Sequence, residues 1–93
     1  MKANMKTTKS RELKISSVAV ESAKTGLNLL KGAILEVIHA NPEGVSNTEL
    51  ARLLNLESDF NGNQKNYLTY SLLGLLLKEN KIHRDERTKK FII

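Results

Sequence analysis

The chain has 93 residues, a formal net charge of +5 and no cysteine. This length allows one domain with a modest core, and an enzyme with a large cleft and a separate cofactor fold would be cramped in it. Without cysteine there is neither a disulfide framework nor a thiolate metal site, and no apolar run approaches the ~20 residues that span a bilayer. We therefore expect a small, basic, cytoplasmic protein that is not an enzyme.

The basic side chains are concentrated at the two ends of the chain. Residues 1–14 hold five of them against one glutamate, and residues 78–93 hold six against three acidic side chains. Between these ends, residues 43–63 are acidic. Such a distribution is typical of a protein with one face that meets a polyanion, although basic tails can also serve solubility alone.

The N-terminal quarter is predicted to lie outside the main domain. Residues 1–14 are polar and lysine-rich and lack a hydrophobic period, which predicts a basic flexible tail. Residues 15–26 form an extra segment that is ambiguous, because Ile15, Val18, Ala19 and Ser22 could share a helical face while residues 15–20 could equally be a strand. The helix is preferred, and this spare apolar segment could be buried against a second copy of the chain.

From Leu27 onward a clear helical period predicts the first core helix. Its apolar residues recur at spacings of three and four: Leu27, Leu30, Ile34, Val37 and Ile38. Spacing of this kind is typical of an amphipathic helix. The helix should end near Ala40, because residues 41–44 contain a proline that cannot continue a helix and a glycine that favours a turn.

Ser46 should open a second helix through a capping box. Its hydroxyl can accept a hydrogen bond from the Glu49 amide, and the Glu49 carboxylate can accept one from the Ser46 amide. This helix has a narrow apolar edge: Leu50, Leu53 and Leu54. It is predicted to end near Asn55, and residues 56–63 should be a polar connection rich in turn-forming residues.

A third helix is predicted over residues 64–79. Its apolar arc contains Leu68, Leu72, Leu75 and Leu76, with Leu73 at the margin. The opposite arc contains Gln64, Asn66, Tyr67, Tyr70 and Ser71. Asn80 suits the left-handed residue that often follows a helix.

The last residues are predicted to form a β-hairpin. Residues 81–85 can pair with residues 89–93 around a turn at 86–88. In this arrangement Ile82, Phe91 and Ile93 should face inward, which leaves the basic side chains at the tip and the sides.

The polar arc of the third helix and the basic hairpin are the candidate contacts to DNA. Amide side chains can bond to an adenine edge, tyrosine can contact a phosphate or a sugar, and cations can bind phosphates. At the start of the second helix, free amides can hold a phosphate. The candidate residues are Asn47, Thr48, Gln64, Lys65, Asn66, Tyr67, Tyr70, Ser71, Arg84, Arg87, Lys89 and Lys90.

Each candidate also has a structural interpretation. Tyr67 and Tyr70 could pack against the first helix or against a second copy of the chain. Gln64 and Asn66 could lie on a solvated face or cap the start of the third helix. A charged hairpin tip is also an ordinary protection against pairing between sheet edges.

Metal and catalytic chemistry are not indicated by the sequence. Residues 59–63 imitate the opening of a calcium loop, but Gln64 stands where such a loop needs glycine and Tyr70 where it needs glutamate. His39 and His83 lie in separate elements. No Walker loop, paired-carboxylate motif or serine–histidine–acid set is visible. We therefore expect no metal and no cofactor.

The chain resembles the winged helix-turn-helix superfamily over residues 27–93. Residues 72–84 (Leu-Leu-Gly-Leu-Leu-Leu-Lys-Glu-Asn-Lys-Ile-His-Arg) are similar to its recognition-helix end and wing start. Residues 44–54 (Gly-Val-Ser-Asn-Thr-Glu-Leu-Ala-Arg-Leu-Leu) are similar to its second helix, and residues 61–76 resemble winged helices found beside prokaryotic restriction–modification and mobile-element proteins. Asn80 replaces the usual glycine and Lys81 the usual apolar residue, so the entry to the wing departs from the pattern of the superfamily.

The resemblance implies a fold and a function. The expected fold is α+β, mostly helical, with a three-helix core and a C-terminal β-hairpin wing. The expected function is binding of double-stranded DNA as a homodimer, by a transcriptional regulator or an accessory DNA-binding subunit. The superfamily also has members that bind proteins, so an adaptor with a protein partner is the alternative.

Overall fold

The computed structural model describes residues 13–60 and 63–93, and only the backbone at positions 59, 60, 63 and 64. The fold is α+β and mostly helical, as the sequence predicts. Of the predicted tail, residues 1–14, only the last two positions belong to the described residues. The elements are α1 (Ser17–Ala40), α2 (Asn47–Leu53), β1 (Asp59–Phe60), β2 (Asn63–Gln64), α3 (Tyr67–Lys78), β3 (His83–Arg84) and β4 (Phe91–Ile92).

Helix α1 is continuous from Ser17 to Ala40. It begins where the Ser16 hydroxyl accepts a hydrogen bond from the Ala19 amide at 3.1 Å, which satisfies one of the free donors of the first turn. The preferred helical interpretation of the N-terminal segment is thus confirmed from residue 17, and the strand is wrong. The predicted division between residues 26 and 27 does not interrupt the helix.

Only the C-terminal half of α1 packs into the core. Ile34 and Ile38 are fully buried, while Leu30 and Val37 are partly buried against the same cluster. Leu27, the first residue of the predicted apolar stripe, remains partly exposed. The helix is also joined to the end of α3, because the Lys31 ammonium contacts the Glu79 carboxylate at 2.6 Å.

A tight turn after α1 joins the helices to the C-terminal hairpin. Gly44 has a φ of +108° and its amide donates to the Asn41 carbonyl at 2.9 Å. A Cβ at this position would lie 2.8 Å from the Lys90 Cβ, so glycine is required both for the backbone angle and for the close approach. The next residue, Val45, pairs with Phe91 through two backbone hydrogen bonds of 3.0 and 2.8 Å.

The predicted capping box at the start of α2 is confirmed. The Glu49 amide donates to the Ser46 hydroxyl at 3.1 Å, and the Ser46 amide donates to the Glu49 carboxylate at 2.9 Å. The second of these bonds, followed by the charge of Lys90, holds the pKa of Glu49 below its ordinary value. Along the predicted apolar edge of α2, Leu50 is fully buried but Leu53 is exposed.

We predict that Ser46→Ala lowers the free energy of unfolding by about 1 kcal/mol, since it leaves the Glu49 amide without its capping acceptor. Urea denaturation followed by circular dichroism measures this loss. The control is Thr48→Ala, a change at an exposed first-turn residue whose side chain is not part of the capping box, which should stay within about 0.5 kcal/mol of the unmodified chain. Equal losses in both variants would contradict the capping role.

The described part of the connection between α2 and α3 contains a short strand pair that the sequence does not indicate. Strands β1 and β2 form an antiparallel pair in which residue 59 lies opposite residue 64. At the base of this pair the Lys65 amide donates to the Ser58 carbonyl at 3.2 Å, and the Tyr67 amide donates to the Ser58 hydroxyl at 3.2 Å. The predicted start of the third helix at Gln64 is therefore wrong, because Gln64 belongs to β2 and α3 begins at Tyr67.

Helix α3 lies against both α1 and α2 and supplies the centre of the core. Its buried residues are Thr69, Leu72, Leu73 and Leu76. The predicted apolar arc is therefore rotated: Leu73 is central rather than marginal, while Leu68 and Leu75 are partly exposed. A leucine-rich helix offers several apolar faces, and the position of the neighbouring helices selects one of them.

The predicted C-terminal hairpin is confirmed as the pair β3–β4, with His83 opposite Ile92 and Arg84 opposite Phe91. Asn80 is left-handed as predicted, with a φ of +61°. The Lys81 amide donates to the Leu76 carbonyl at 3.0 Å, which closes the end of α3. Ile82 and Phe91 are buried, but Ile93 is 54% exposed, so its predicted inward orientation is wrong.

None of the helices in the described ranges combines the length and the apolar composition that crossing a bilayer requires.

Candidate nucleic-acid interface

Helix α3 turns one face toward solvent. Tyr67 and Tyr70 are 58% and 65% exposed. Ser71, Gly74 and Lys78 are also exposed and follow at spacings of three and four residues, so they share this face. The opposite face carries the buried leucines, which hold the helix in place. The result is a rigid helix that presents two aromatic side chains, a hydroxyl and a cation along one side.

The β3–β4 hairpin lies beside this face. Tyr70 of α3, Arg84 of β3 and Lys89 line the same cavity, together with Asn47 from the start of α2. The tertiary structure thus brings four of the predicted site residues together from four positions along the chain. The Arg84 guanidinium lies 6.0 Å from the centre of the Phe91 ring, where a weak cation–π attraction favours it.

The turn of the hairpin is stabilised by the carboxylate of Asp85. It accepts hydrogen bonds from the Arg87 amide at 2.9 Å and from the Thr88 amide at 3.4 Å. The first of these bonds is the main cause of a pKa for Asp85 below its ordinary value. The turn therefore stays ordered while the Arg87 side chain at its tip remains exposed. Lys89 contacts the Glu86 carboxylate at 3.3 Å, which partly offsets its charge.

Lys90 does not belong to this surface, although the sequence placed it in the candidate set. Its ammonium lies 4.0 Å from the Glu49 carboxylate, and it lines a separate surface depression with Gly44 and Glu49. Lys89 has a left-handed backbone, with a φ of +64°, and it lines the cavity that Tyr70 also lines, so Lys89 and Lys90 face different surroundings. Of the four hairpin cations predicted to bind phosphates, Lys90 therefore lies apart from Arg84 and Lys89.

Asn66 is also removed from the candidate surface, because it is only 4% exposed. Its backbone is left-handed, with a φ of +54°, and its side-chain oxygen accepts from the Ser58 amide at 3.3 Å. Its carbonyl accepts from the Thr69 hydroxyl at 3.2 Å. Asn66 therefore shapes the entry to α3 and cannot reach a base edge without leaving these contacts.

The remaining candidates have diverse positions. Lys65 is exposed immediately before α3, and Thr48 is exposed in the first turn of α2. Gln64 lies on β2, and its side chain is outside the described residues. One further cation, Lys78, was missed by the sequence interpretation. Its spacing of four residues from Gly74 and seven from Ser71 places it on the tyrosine face, so a complete helical wheel would have found it.

No protein-family model, curated protein or solved structure matches this chain. The candidate function therefore rests on the arrangement of its own residues. Within residues 13–60 and 63–93, no three acidic or histidine side chains come together in a way that could hold a metal ion. What the surface offers chemically is a set of cations, hydroxyls and aromatic rings on one side of the protein.

We predict that Asn66→Ala is less stable than Asn66→Gly by about 1 kcal/mol. Both variants lose the hydrogen bond to Ser58, but only alanine must hold a side chain in the left-handed region. Urea denaturation of the two proteins isolates this difference. Equal stability would mean that backbone conformation is not what selects asparagine at the entry to α3.

Proposed function

We propose that this chain is a cytoplasmic double-stranded DNA-binding protein of the winged helix-turn-helix superfamily, serving a prokaryote as a transcriptional regulator or an accessory DNA-binding subunit. The observation that carries the proposal is that Tyr70, on the exposed face of α3, lines the same cavity as Arg84 and Lys89 of the β3–β4 hairpin. A three-helix core with a C-terminal hairpin is the arrangement that this superfamily implies.

In the proposed complex α3 enters the major groove. A helix with its side chains is about 10–12 Å across and the major groove is about 12 Å wide, so the two fit. Tyr67, Tyr70 and Ser71 would then meet base edges and sugars, and Lys78 would meet the backbone. Arg84, Arg87 and Lys89 would bind phosphates beside the groove, which contributes affinity without reading sequence.

The N-terminal half of α1 supports a homodimer. Its outer side carries a strip at spacings of four, three and four residues: Val18, Ser22, Thr25 and Leu29. Val18 and Leu29 are 73% and 69% exposed. Most helical stability in proteins comes from packing of an apolar face, so burial of this strip against a second copy would stabilise this half of α1.

A second copy of the chain can cover this strip in an antiparallel pair of helices centred on Ser22. The two copies are then related by a two-fold axis, which is the commonest symmetry of homo-oligomers. Such a dimer would present two copies of α3 to a two-fold symmetric DNA site.

We predict that Leu29→Glu shifts the protein from dimer to monomer, because it places a carboxylate in the apolar strip. Sedimentation equilibrium of the full chain measures the change. The control is Asn28→Glu, which adds the same charge on the neighbouring position of α1, away from both the strip and the core. A monomeric unmodified chain, or an unchanged dimer in Leu29→Glu, would refute this interface.

The DNA proposal is tested by selection from a pool of randomised duplexes at near-physiological salt. We expect an enriched palindromic motif, and we expect Tyr70→Ala to lose that enrichment while remaining folded.

The phosphate contacts are tested by Arg87→Ala. Loss of Arg87 should weaken binding to all sequences alike and reduce the slope of log affinity against log salt by about 0.9, the value for one phosphate contact.

Lys90→Ala is the matched control for Arg87→Ala. It removes the same charge from the same hairpin, but on the side that faces Glu49, so the salt slope should stay unchanged. Equal effects of the two variants would indicate that only the net charge of the protein attracts DNA. Retention without an enriched motif would reduce the function to nonspecific DNA binding.

The second candidate function is an adaptor that binds a protein partner through the same face of α3. The observation that favours it is the apolar character of part of this helix, since Tyr67, Tyr70, Leu68 and Leu75 are all exposed or partly exposed. Exposed tyrosines are typical of protein interfaces. Failure of the chain to retain any duplex would favour this alternative.

A further inference from the structure

A small cavity lies between the start of α2, the middle of α3 and the β3–β4 hairpin. Its volume is about 240 Å³. Its apolar wall is made by Leu73, Leu77 and Phe91, and its polar wall by Tyr70, Arg84, Lys89 and Asn47. Pockets for drug-sized ligands enclose about 300–1,000 Å³, so this cavity suits a smaller molecule.

One polar atom of Asn47, a residue that lines this cavity, has no hydrogen-bond partner within the described residues. The Asn47 amide nitrogen donates to the Asn66 carbonyl at 3.4 Å, and a carbonyl can only accept, so the orientation of the Asn47 side chain is determined. The other end of that side chain, Oδ1, is buried without a hydrogen bond. An unsatisfied buried acceptor costs about 1–3 kcal/mol, so a ligand donor that reached Oδ1 from the cavity would recover that cost.

A glycine keeps the cavity open. Gly74 lies in the interior of α3, where glycine costs about 1 kcal/mol relative to alanine. A Cβ at this position would have no neighbouring atom within 4 Å, so the packing of the protein does not require glycine there. Gly74 does line the cavity, and a larger side chain at this position would occupy its space.

The wall chemistry defines a class of ligand. The two cations, Arg84 and Lys89, favour a ligand with a negative charge. The Phe91 ring and two leucines favour a ligand with an apolar part, such as a ring. Oδ1 of Asn47 selects a hydroxyl or amino donor. We propose that this cavity binds a small carboxylate that has an apolar body and one hydrogen-bond donor.

Such a ligand would act on the proposed DNA surface, an effect that rests on the proposed function. Tyr70, Arg84 and Lys89 line the cavity and also belong to the surface assigned to DNA. A bound carboxylate neutralises positive charge there and engages side chains that DNA would use. Ligand and DNA therefore compete, and the ligand releases the protein from DNA.

The probe for the first experiment is 4-hydroxybenzoate, titrated into the full-length chain without DNA and followed by amide chemical shifts. We expect saturable shifts at Gly74, Leu77 and Phe91. Benzoate, which lacks the donor, and 4-hydroxybenzyl alcohol, which lacks the charge, should each bind more weakly. Arg84→Gln should weaken 4-hydroxybenzoate by about tenfold or more, the effect of losing one hydrogen bond to a charged group.

Gly74→Leu should abolish binding because its side chain fills the cavity. The matched control is Gly32→Leu, since a Cβ at Gly32 of α1 also meets no atom within 4 Å and Gly32 does not line this cavity. This control should bind the probe like the unmodified chain. The dispersed amide spectrum of each variant shows whether it is folded, and Arg84→Gln provides an independent test if Gly74→Leu is not.

Three results would overturn the cavity proposal. They are shifts spread over all lysines, shifts that persist in folded Gly74→Leu, and the absence of a saturable shift with any of the three compounds.

A second experiment tests competition with DNA and uses a duplex retained by the protein. Release of that duplex by 4-hydroxybenzoate supports competition. Probe binding by a chain that retains no duplex would refute the proposed function and leave the cavity assignment standing, whereas retained duplex without probe binding would refute only the cavity.

Discussion

The pairing of Val45 with Phe91 is the constraint on which the rest of the structure depends. These two backbone hydrogen bonds join the turn after α1 to the returning strand of the hairpin. They place Phe91 in the core, and they require Gly44 because Lys90 approaches it so closely. With β4 held there, Arg84 of β3 and Lys89 line the same cavity as Tyr70 of α3. These two cations thus reach the side on which Tyr70 is exposed.

Helix α3 links stability to the proposed function, because one helix serves both. Its buried leucines form the centre of the core, and this packing fixes the direction of the exposed face. The cavity at Gly74 and the face at Tyr70 share a boundary, so an event in one changes the other. The N-terminal half of α1 stands apart from this surface, which lets the proposed dimer form without covering the DNA contacts.

Features that depend on neighbouring residues were predictable. The capping box joins Ser46 and Glu49 within one turn, and the left-handed Asn80 closes a helix by bonds to the turn that precedes it. The end of α1 and the β3–β4 hairpin follow from short patterns of the same kind. Each is a choice among local conformations whose energies are set by a few adjacent side chains, so the amino-acid sequence by itself determined them.

Contacts between distant residues decided the rest. The burial of Leu73 depends on where α1 and α2 lie, and the burial of Asn66 depends on Ser58 across the β1–β2 pair. Lys90 faces Glu49 because β4 is paired with Val45 on one side and β3 on the other. The cavity joins three elements and leaves no pattern in any one of them. The sequence by itself determined the helices, the C-terminal hairpin and the abundance of positive charge. Only the tertiary structure decided which side chains share a surface, because the sharing of a surface depends on packing between elements far apart in the chain.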